Sequence, residues 1–442
     1  MLSKNWLEFY VSDSSEELTI TKRKNPIHTE TILLLENNPI QSEITKNQLK
    51  YFGFNIIQSD NTADAYKKIQ SEPPEVLIMS LDVLENSEIE FISKLRIRFN
   101  EAELPIILLI SLEKSEKMFE YLEIGINDFL ITPCIKEKLY ARVLVGLKFS
   151  KLAKSYHRFF PSEFIHLLKK KNISDLRLGD HRELEISVLF SDIRGFTKIS
   201  EKLTPDENFL FLNSYLKRVG PIVRKHTGFI DKYIGDAIMA LFPKSADDAV
   251  RSAIEIQNEV REFNWERRNT GEDPIKVGIG IHYGSVILGT IGEDERMEGT
   301  VVSDSVNLTS RLENLTKLYD CNILISMDTF LNLDSPEDYN FRILDRVKVK
   351  GKEQFVTVIE IIDGLPPNKV EKLLESKLYF EEGVTFYLNK QFEEAIEKFN
   401  LVLKLAPEDN ATKIYIQRSN YYKNFELPKD WDGVEILEDK YY

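Results

Sequence analysis

From Thr31 onward the chain alternates short apolar runs with longer amphipathic ones. TILLL is followed by an amphipathic stretch to Phe52, then NIIQS, a polar helix-like run, VLIMS, a helix, PIILLI, a helix, and DFLIT ahead of Pro133. Five short strands alternating with helices predict a parallel sheet wrapped by helices over residues 31–148. The closing helix is expected to run on, because Val145, Phe149, Leu152, Tyr156 and Phe159 recur at alternating spacings of four and three. Such a stripe serves either a coiled-coil dimer or packing on its own domain, and both readings stay open. Past residue 182 the pattern changes. Ile186 to Phe190 reads as a buried strand broken at Ser191-Asp192, and Phe229 to Phe242 as two strands joined in a tight turn at Gly235-Asp236. Pro205 to Lys225, Asp247 to Arg268 and Val301 to Tyr319 carry helical spacing, and KVGIGIHYG followed by SVILGTIG predicts a two-stranded hairpin. Strand, helix, hairpin, helix, hairpin predicts an antiparallel-containing sheet with helices on one face. After the linker GLPPNK the remainder is helical.

Length and charge narrow the function. A chain of 442 residues predicts two to four domains, and 42% hydrophobic with 29% charged residues is a globular composition. No apolar run approaches the roughly 20 residues of a membrane helix, and the acidic start is unlike a signal peptide. Two distant cysteines, Cys134 and Cys321, offer neither a disulfide framework nor zinc spacing, so a cytoplasmic location is expected. A net charge of −14 without a basic block argues against nucleic acid as a partner. The candidate chemistry lies at two strand ends, where Asp192 and Asp236 form the carboxylate pair that Mg²⁺ or Mn²⁺ favours when it must also hold phosphate oxygens. The turn from strand to helix after Asp192 leaves backbone N–H groups of Arg194, Gly195, Phe196 and Thr197 to cup a polyphosphate.

Three ordered motifs, VLFSDIRGFT, KYIGDAIMALF and SDSVNLTSRLE, resemble the class III nucleotidyl cyclases over residues 183–362. The resemblance implies a ferredoxin-like catalytic domain over residues 183–363, preceded by a linker helix and transducer segment over 149–182. It implies two Mg²⁺ or Mn²⁺ ions per site on Asp192, Ile193 and Asp236, with Asn307 orienting the ribose and Arg311 neutralising the α-phosphate. Lys232 and Thr300 fall where family members read adenine, and Lys350 where a lysine turn contacts phosphate, with Lys352 as its alternative. Gly299 and Ser303 depart from the family pattern. The implied function is adenylate cyclase, forming 3′,5′-cyclic AMP and pyrophosphate from ATP at a homodimer interface. Guanylate cyclase and a catalytically silent nucleotide-binding module are the alternatives.

Residues 31–148 resemble a flavodoxin-like response-regulator receiver, but Ser80 stands at the phosphoacceptor position, Thr132 at the lysine and Ile110 at the hydroxyl position, and the acidic pair is Glu36-Asn37. That implies a degenerate receiver used for docking or dimerisation, against one that accepts phosphate through Asp82. Residues 364–442 resemble a small all-α tetratricopeptide-like repeat on Gly383, Phe386, Ala395, Phe399, Val402 and Pro407, able to pack on the catalytic domain or bind a protein partner. Residues 1–30 are expected to be irregular.

Overall fold

The structure is a computed structural model, and it describes residues 28–83, 88–348, 355–425, 427, 431 and 433–436. Its contacts divide the chain into two units, one ending at Phe159 and one beginning at Phe160.

In the N-terminal unit the apolar runs become β1 (Thr31–Leu35), β2 (Asn55–Ser59), β3 (Val76–Ser80), β4 (Ile106–Ser111) and β5 (Asp128–Thr132). They pair in parallel in the order β2-β1-β3-β4-β5. The helices are α1 (Pro39–Tyr51), α2 (Thr62–Ser71), α3 (Glu88–Arg98), α4 (Met118–Glu123) and α5 (Lys136–Tyr156). Alternate strand residues enter separate cores: Leu33, Leu77 and Leu108 face one, Ile32, Ile78 and Ile107 the other. One face of α5, Leu139, Val143, Gly146, Leu147 and Ala153, is buried within this unit. Its opposite face exposes Val145, Phe149 and Leu152. The helix ends at Tyr156, so Phe159 does not extend the stripe as helix.

The second unit opens with α6 (Ser162–Leu167), whose Phe164 and Ile165 pack with Leu168, Leu176 and Ile186. Then follow β6 (His181–Ile193), α7 (Phe196–Ser200), α8 (Pro205–Lys225), β7 (Phe229–Ile234), β8 (Ala237–Phe242) and α9 (Ala246–Asn269). Next come β9 (Val277–Glu293), β10 (Arg296–Val302), α10 (Asp304–Tyr319), β11 (Ile323–Ser326), α11 (Met327–Leu331), β12 (Phe341–Lys348) and β13 (Phe355–Ile361). The chain closes with α12 (Pro367–Leu388), α13 (Phe392–Leu405), α14 (Asn410–Asn424) and β14 (Glu435–Ile436). The sheet runs β14-β12-β13-β11-β9-β6-β8-β7, with β10 folded back on β9.

One expectation is corrected here. KVGIGIHYGSVILGTIG is not a hairpin but a single strand of 17 residues, paired with β6 from His181↔Gly289 to Ile193↔Val277. Its glycines serve close packing rather than a turn: a Cβ on Gly284 would stand 2.8 Å from Ser305 Oγ, and one on Gly280 would stand 2.7 Å from the Thr309 carbonyl. The hairpin forms instead between β9 and β10.

The two faces of the sheet bury different partners. Ile323, Ile325, Ile359 and Ile361 face α8 and α9. Leu324 and Val358 face the other way, into a core shared by Leu312 and Leu315 of α10 with Phe380, Phe399 and Tyr415 of the C-terminal helices. The C-terminal helices therefore pack on the sheet and on α10 as well as on one another. Across that contact Arg342, 2% exposed, meets Glu360 at 2.7 Å and Asp409 at 2.8 Å.

Candidate active site

The carboxylate pair is assembled by pairing of strands. β6 brings Asp192 beside β9 through the register Asp192↔Gly278, while Gly235, at φ 65°, turns β7 into β8 and leaves Asp236 at the head of the latter. The backbone N–H of Ile193 donates to Asp236 Oδ2 at 3.2 Å. Burial, then hydrogen bonding to the Asp192 carboxyl, then its charge push the Asp236 carboxyl up to about 7.

α10 contributes a cation. Its backbone rests on Gly280, and its Thr316 and Glu313 side chains lie over Gly278, which carries the last two turns to the end of β6. There Lys317 Nζ donates to Asp192 Oδ2 at 2.9 Å and stands 3.7 Å from Glu313 Oε1. Burial works to discharge Lys317, but its hydrogen bond to Asp192 and the charges of Glu313, Asp192 and Asp236 raise its proton affinity on balance. Glu313 is 5% exposed, and burial pushes its carboxyl up to about 7 despite Lys317.

The two positions expected to read the base stand side by side. Lys232 Nζ donates to Thr300 Oγ1 at 2.9 Å, joining β7 to β10. Lys232 also lies 3.4 Å from Asp231 and 3.6 Å from Glu298, and burial raises the Asp231 carboxyl. The β7–β8 register shifts between Ile230 and Lys232, and at this irregularity the Asp231 side chain is buried beside a partly exposed Lys232. The departure at Gly299 has a local complement: the rings of Phe160 and Phe164 fill the space its side chain would take.

Asn307 and Arg311 lie in the N-terminal half of α10, exposed and half-buried respectively. Arg311 is six residues before Lys317 and Asn307 is ten, which at a helical rise is about 9 and about 15 Å along the axis. Arg194 is corrected. Its guanidinium donates to the carbonyl of Thr316 at 2.8 Å and also to that of Cys321 and to Asp320, while its backbone N–H donates to the Lys276 carbonyl at 2.9 Å. The last carbonyls of α10 need partners, and at Thr316 the Arg194 guanidinium adds to the backbone N–H groups of Asp320 and Cys321. Gly195, Phe196 and Thr197 begin α7, where first-turn N–H groups lack intrahelical acceptors. Lys350 and Lys352 lie outside the described residues.

Glu313, Lys317 and Asp231 escaped the sequence reading. The first two form an i, i+4 acid–base pair in SRLENLTKLY, a spacing that ordinarily marks a solvated helix face. Nothing in that segment discloses that the face meets the end of β6.

Among the described residues no group of three or more His, Cys, Asp and Glu side chains could hold a metal ion. The donor set at this site is Asp192, Asp236 and the main chain of Ile193. Two carboxylates placed so that Asp192 raises the proton affinity of Asp236 are a fit for a divalent cation that takes its other ligands from phosphate and water.

Residues 180–360 match the family of the adenylate and guanylate cyclase catalytic domain, and residues 32–144 match the response regulator receiver domain. The chain carries a receiver domain and a class III cyclase domain. An adenylate cyclase of Anabaena cylindrica is 44% identical over 224 residues, covering 49% of this chain and 45% of the relative. The terminal-differentiation specific adenylate cyclase of Dictyostelium discoideum is 38% identical over 269 residues, 59% of this chain and 12% of the relative. The chain thus spans less than half the length of either. Among solved structures, the adenylyl cyclase CyaB from P. aeruginosa overlays 41% of this chain and 95% of its own at 30% identity and TM-score 0.38. The guanylyl cyclase Cya2 overlays 43% and 97% at 34% identity and TM-score 0.36. No helix among the described residues is long and apolar enough to cross a membrane.

In the receiver domain Ser80 is buried at the end of β3, and its Oγ accepts from the Asp82 N–H at 3.3 Å. Asp82 pairs with Lys114 at 2.8 Å, and burial raises the carboxyl of Glu36, whose Oε1 accepts from the Asn38 N–H at 2.9 Å. The hydroxyl of Thr132 donates to the Ile110 carbonyl at 3.3 Å.

Proposed function

We propose that the chain is an adenylate cyclase whose active site is completed by a second copy of itself. The observation that carries the choice of ATP is the Lys232–Thr300 pair, a donor and an acceptor 2.9 Å apart. In this reading the Lys232 ammonium donates to adenine N1 and the Thr300 hydroxyl accepts from the 6-amino group, a pattern that guanine presents inverted. The relatives named adenylate cyclase, 44% identical over 224 residues and 38% over 269, support the same substrate.

The ribose 3′-hydroxyl gives up its proton to water as its oxygen attacks the α-phosphorus, the bond from that phosphorus to the α,β-bridging oxygen breaks, and pyrophosphate leaves with that bond's electron pair. Asn307 holds the ribose for in-line attack, and the Arg311 guanidinium, a planar fork that stays charged, neutralises the equatorial oxygens as phosphorus becomes five-coordinate. Backbone N–H groups from Gly195 to Thr197 face the polyphosphate. Two divalent ions on Asp192, Asp236 and the Ile193 main chain would supply Lewis-acid stabilisation of the attacking and leaving oxygens. Within one chain Asp192 meets the C-terminal end of α10, whereas Asn307 and Arg311 ride the other half of that helix. This favours a partner subunit as the source of the Asn–Arg pair, so that a homodimer has two sites and a lone subunit none. With Ser80 at the acceptor position and Asp82 paired to Lys114, the receiver domain is read as a docking module that needs no phosphate.

The test mixes two variants, Asp192→Asn and Arg311→Ala, each expected to lose at least about 10²-fold in cyclic AMP formation. Co-folded heterodimers should recover activity through one intact site in two, with ATP preferred over GTP. Silence in proven heterodimers would refute the shared site.

A further inference from the structure

We infer that Lys317 is a tethered counter-cation of the carboxylate pair, holding the place of a divalent ion against Asp192 and stepping back to the buried Glu313 carboxylate when the ion arrives. This deepens the reading of Asp192 and Asp236 as metal ligands and rests on it. Lys317 Nζ is 2.9 Å from Asp192 Oδ2 and 3.7 Å from Glu313 Oε1, so one ammonium spans both acids. Glu313 Oε1 is buried and has no hydrogen-bond partner, although its side chain is only 7% exposed. A buried oxygen that accepts no hydrogen bond and already lies within ion-pair distance of the ammonium is a landing place already built. The Lys317 side chain is 42% exposed and has four rotatable bonds, so the swing needs no backbone movement. Asn314 Oδ1, 3.2 Å away on the same face, gives the ammonium a further acceptor on either side of the exchange.

The geometry has a purpose in a metal-free subunit. Two carboxylates in contact repel, and a resident cation keeps Asp192 oriented; the same cation must be displaced before a metal ion can bind, which sets a threshold on metal affinity. Lys317 acts as a positioning residue for Asp192, not as a group touching the nucleotide.

The probe is Mn²⁺ bound to the full chain without nucleotide, followed by loss of its free-ion paramagnetic resonance signal. Wild type should bind, and Asp192→Asn should abolish binding. Failure of either would overturn the metal reading and this inference together. Lys317→Met, at an exposed position, should tighten Mn²⁺ binding roughly three- to tenfold, the scale of one partly exposed charge pair. Lys317→Arg should stay near wild type. Glu313→Gln should weaken binding about threefold with Lys317 present and have no effect in the Lys317→Met background, because the retreat site matters only to the lysine. Unchanged or weaker binding in Lys317→Met, with Asp192→Asn still inactive in binding, would sink the counter-cation while leaving the metal pair standing. An undiminished Glu313→Gln effect without Lys317 would remove the retreat.

Discussion

At Asp236 burial and a like-charged neighbour act in the same direction, and the carboxyl is pushed up to about 7. An unfolded chain releases that proton near its ordinary value of 3.8, so between about pH 4 and 7 the folded state holds more protons than the unfolded one. The sign follows: in the metal-free protein this residue's contribution favours folding at low pH and is lost as pH rises through 7. A divalent cation competes for the same oxygens, so its affinity should run the opposite way, weakening about tenfold for each pH unit below 7 and levelling above it. Mn²⁺ titrations between pH 5.5 and 8.5 would show this slope in wild type and a much flatter one in Asp236→Asn. Equal slopes in the two proteins would mean that the titrating group lies elsewhere. Neither strand reveals this value on its own. Asp192 and Asp236 are legible as strand-end acids, but their mutual contact depends on Ser191↔Ile238 being neighbours in β6 and β8, a tertiary fact.

At the level of elements, the parallel βα rhythm of residues 31–148 was readable because each strand is a short apolar run bounded by polar helix faces, a pattern with few alternatives. β9 was misread for a physical reason: glycine marks turns and close packing alike, and only the position of α10 tells which. Arg194 shows the same limit, since a backbone N–H just past a strand-end aspartate looks free to cup phosphate until it is found bonded to the Lys276 carbonyl, with the side chain turned to the end of α10. Its guanidinium, 13% exposed, joins Asp320 and the carbonyls of Thr316 and Cys321. Arg194→Ala should therefore act through α10. Charge-assisted hydrogen bonds of this kind carry about 1.5–3 kcal/mol, so the urea midpoint should drop accordingly. Because Asn307 and Arg311 ride that helix, turnover should fall more than the KM for ATP rises. A phosphate contact would give the reverse, a raised KM with stability unchanged.

For the whole molecule the question is why a helical unit follows the catalytic domain at all. Its apolar face is not an appendage surface, because Phe380, Phe399 and Tyr415 share one core with Leu312 and Leu315 of α10 and with Leu344 and Val358 of the sheet. Two polar networks pin the same contact. Asp345 receives hydrogen bonds from Tyr319, Tyr415 and Arg418, and Arg342 is held by Glu360 on β13 and by both oxygens of Asp409 ahead of α14. A single guanidinium faces two buried acids, and burial raises Glu360 while Arg342 holds Asp409 below its usual range against the opposing effect of burial. The two acids are thus unequal. Removing Asp409 leaves Arg342 without the partner that crosses from the helical unit, and breaking a buried pair in this way costs about 3–5 kcal/mol. Glu360→Gln keeps a hydrogen-bonding oxygen and should cost far less. Denaturant titrations of Asp409→Ala and Glu360→Gln would measure the difference, and cyclic AMP formation should fall with the first because α10 loses its backing. Equal stability of the two variants, or full activity in Asp409→Ala at reduced stability, would separate the C-terminal helices from the geometry of α10 and make them a passive cover for the sheet.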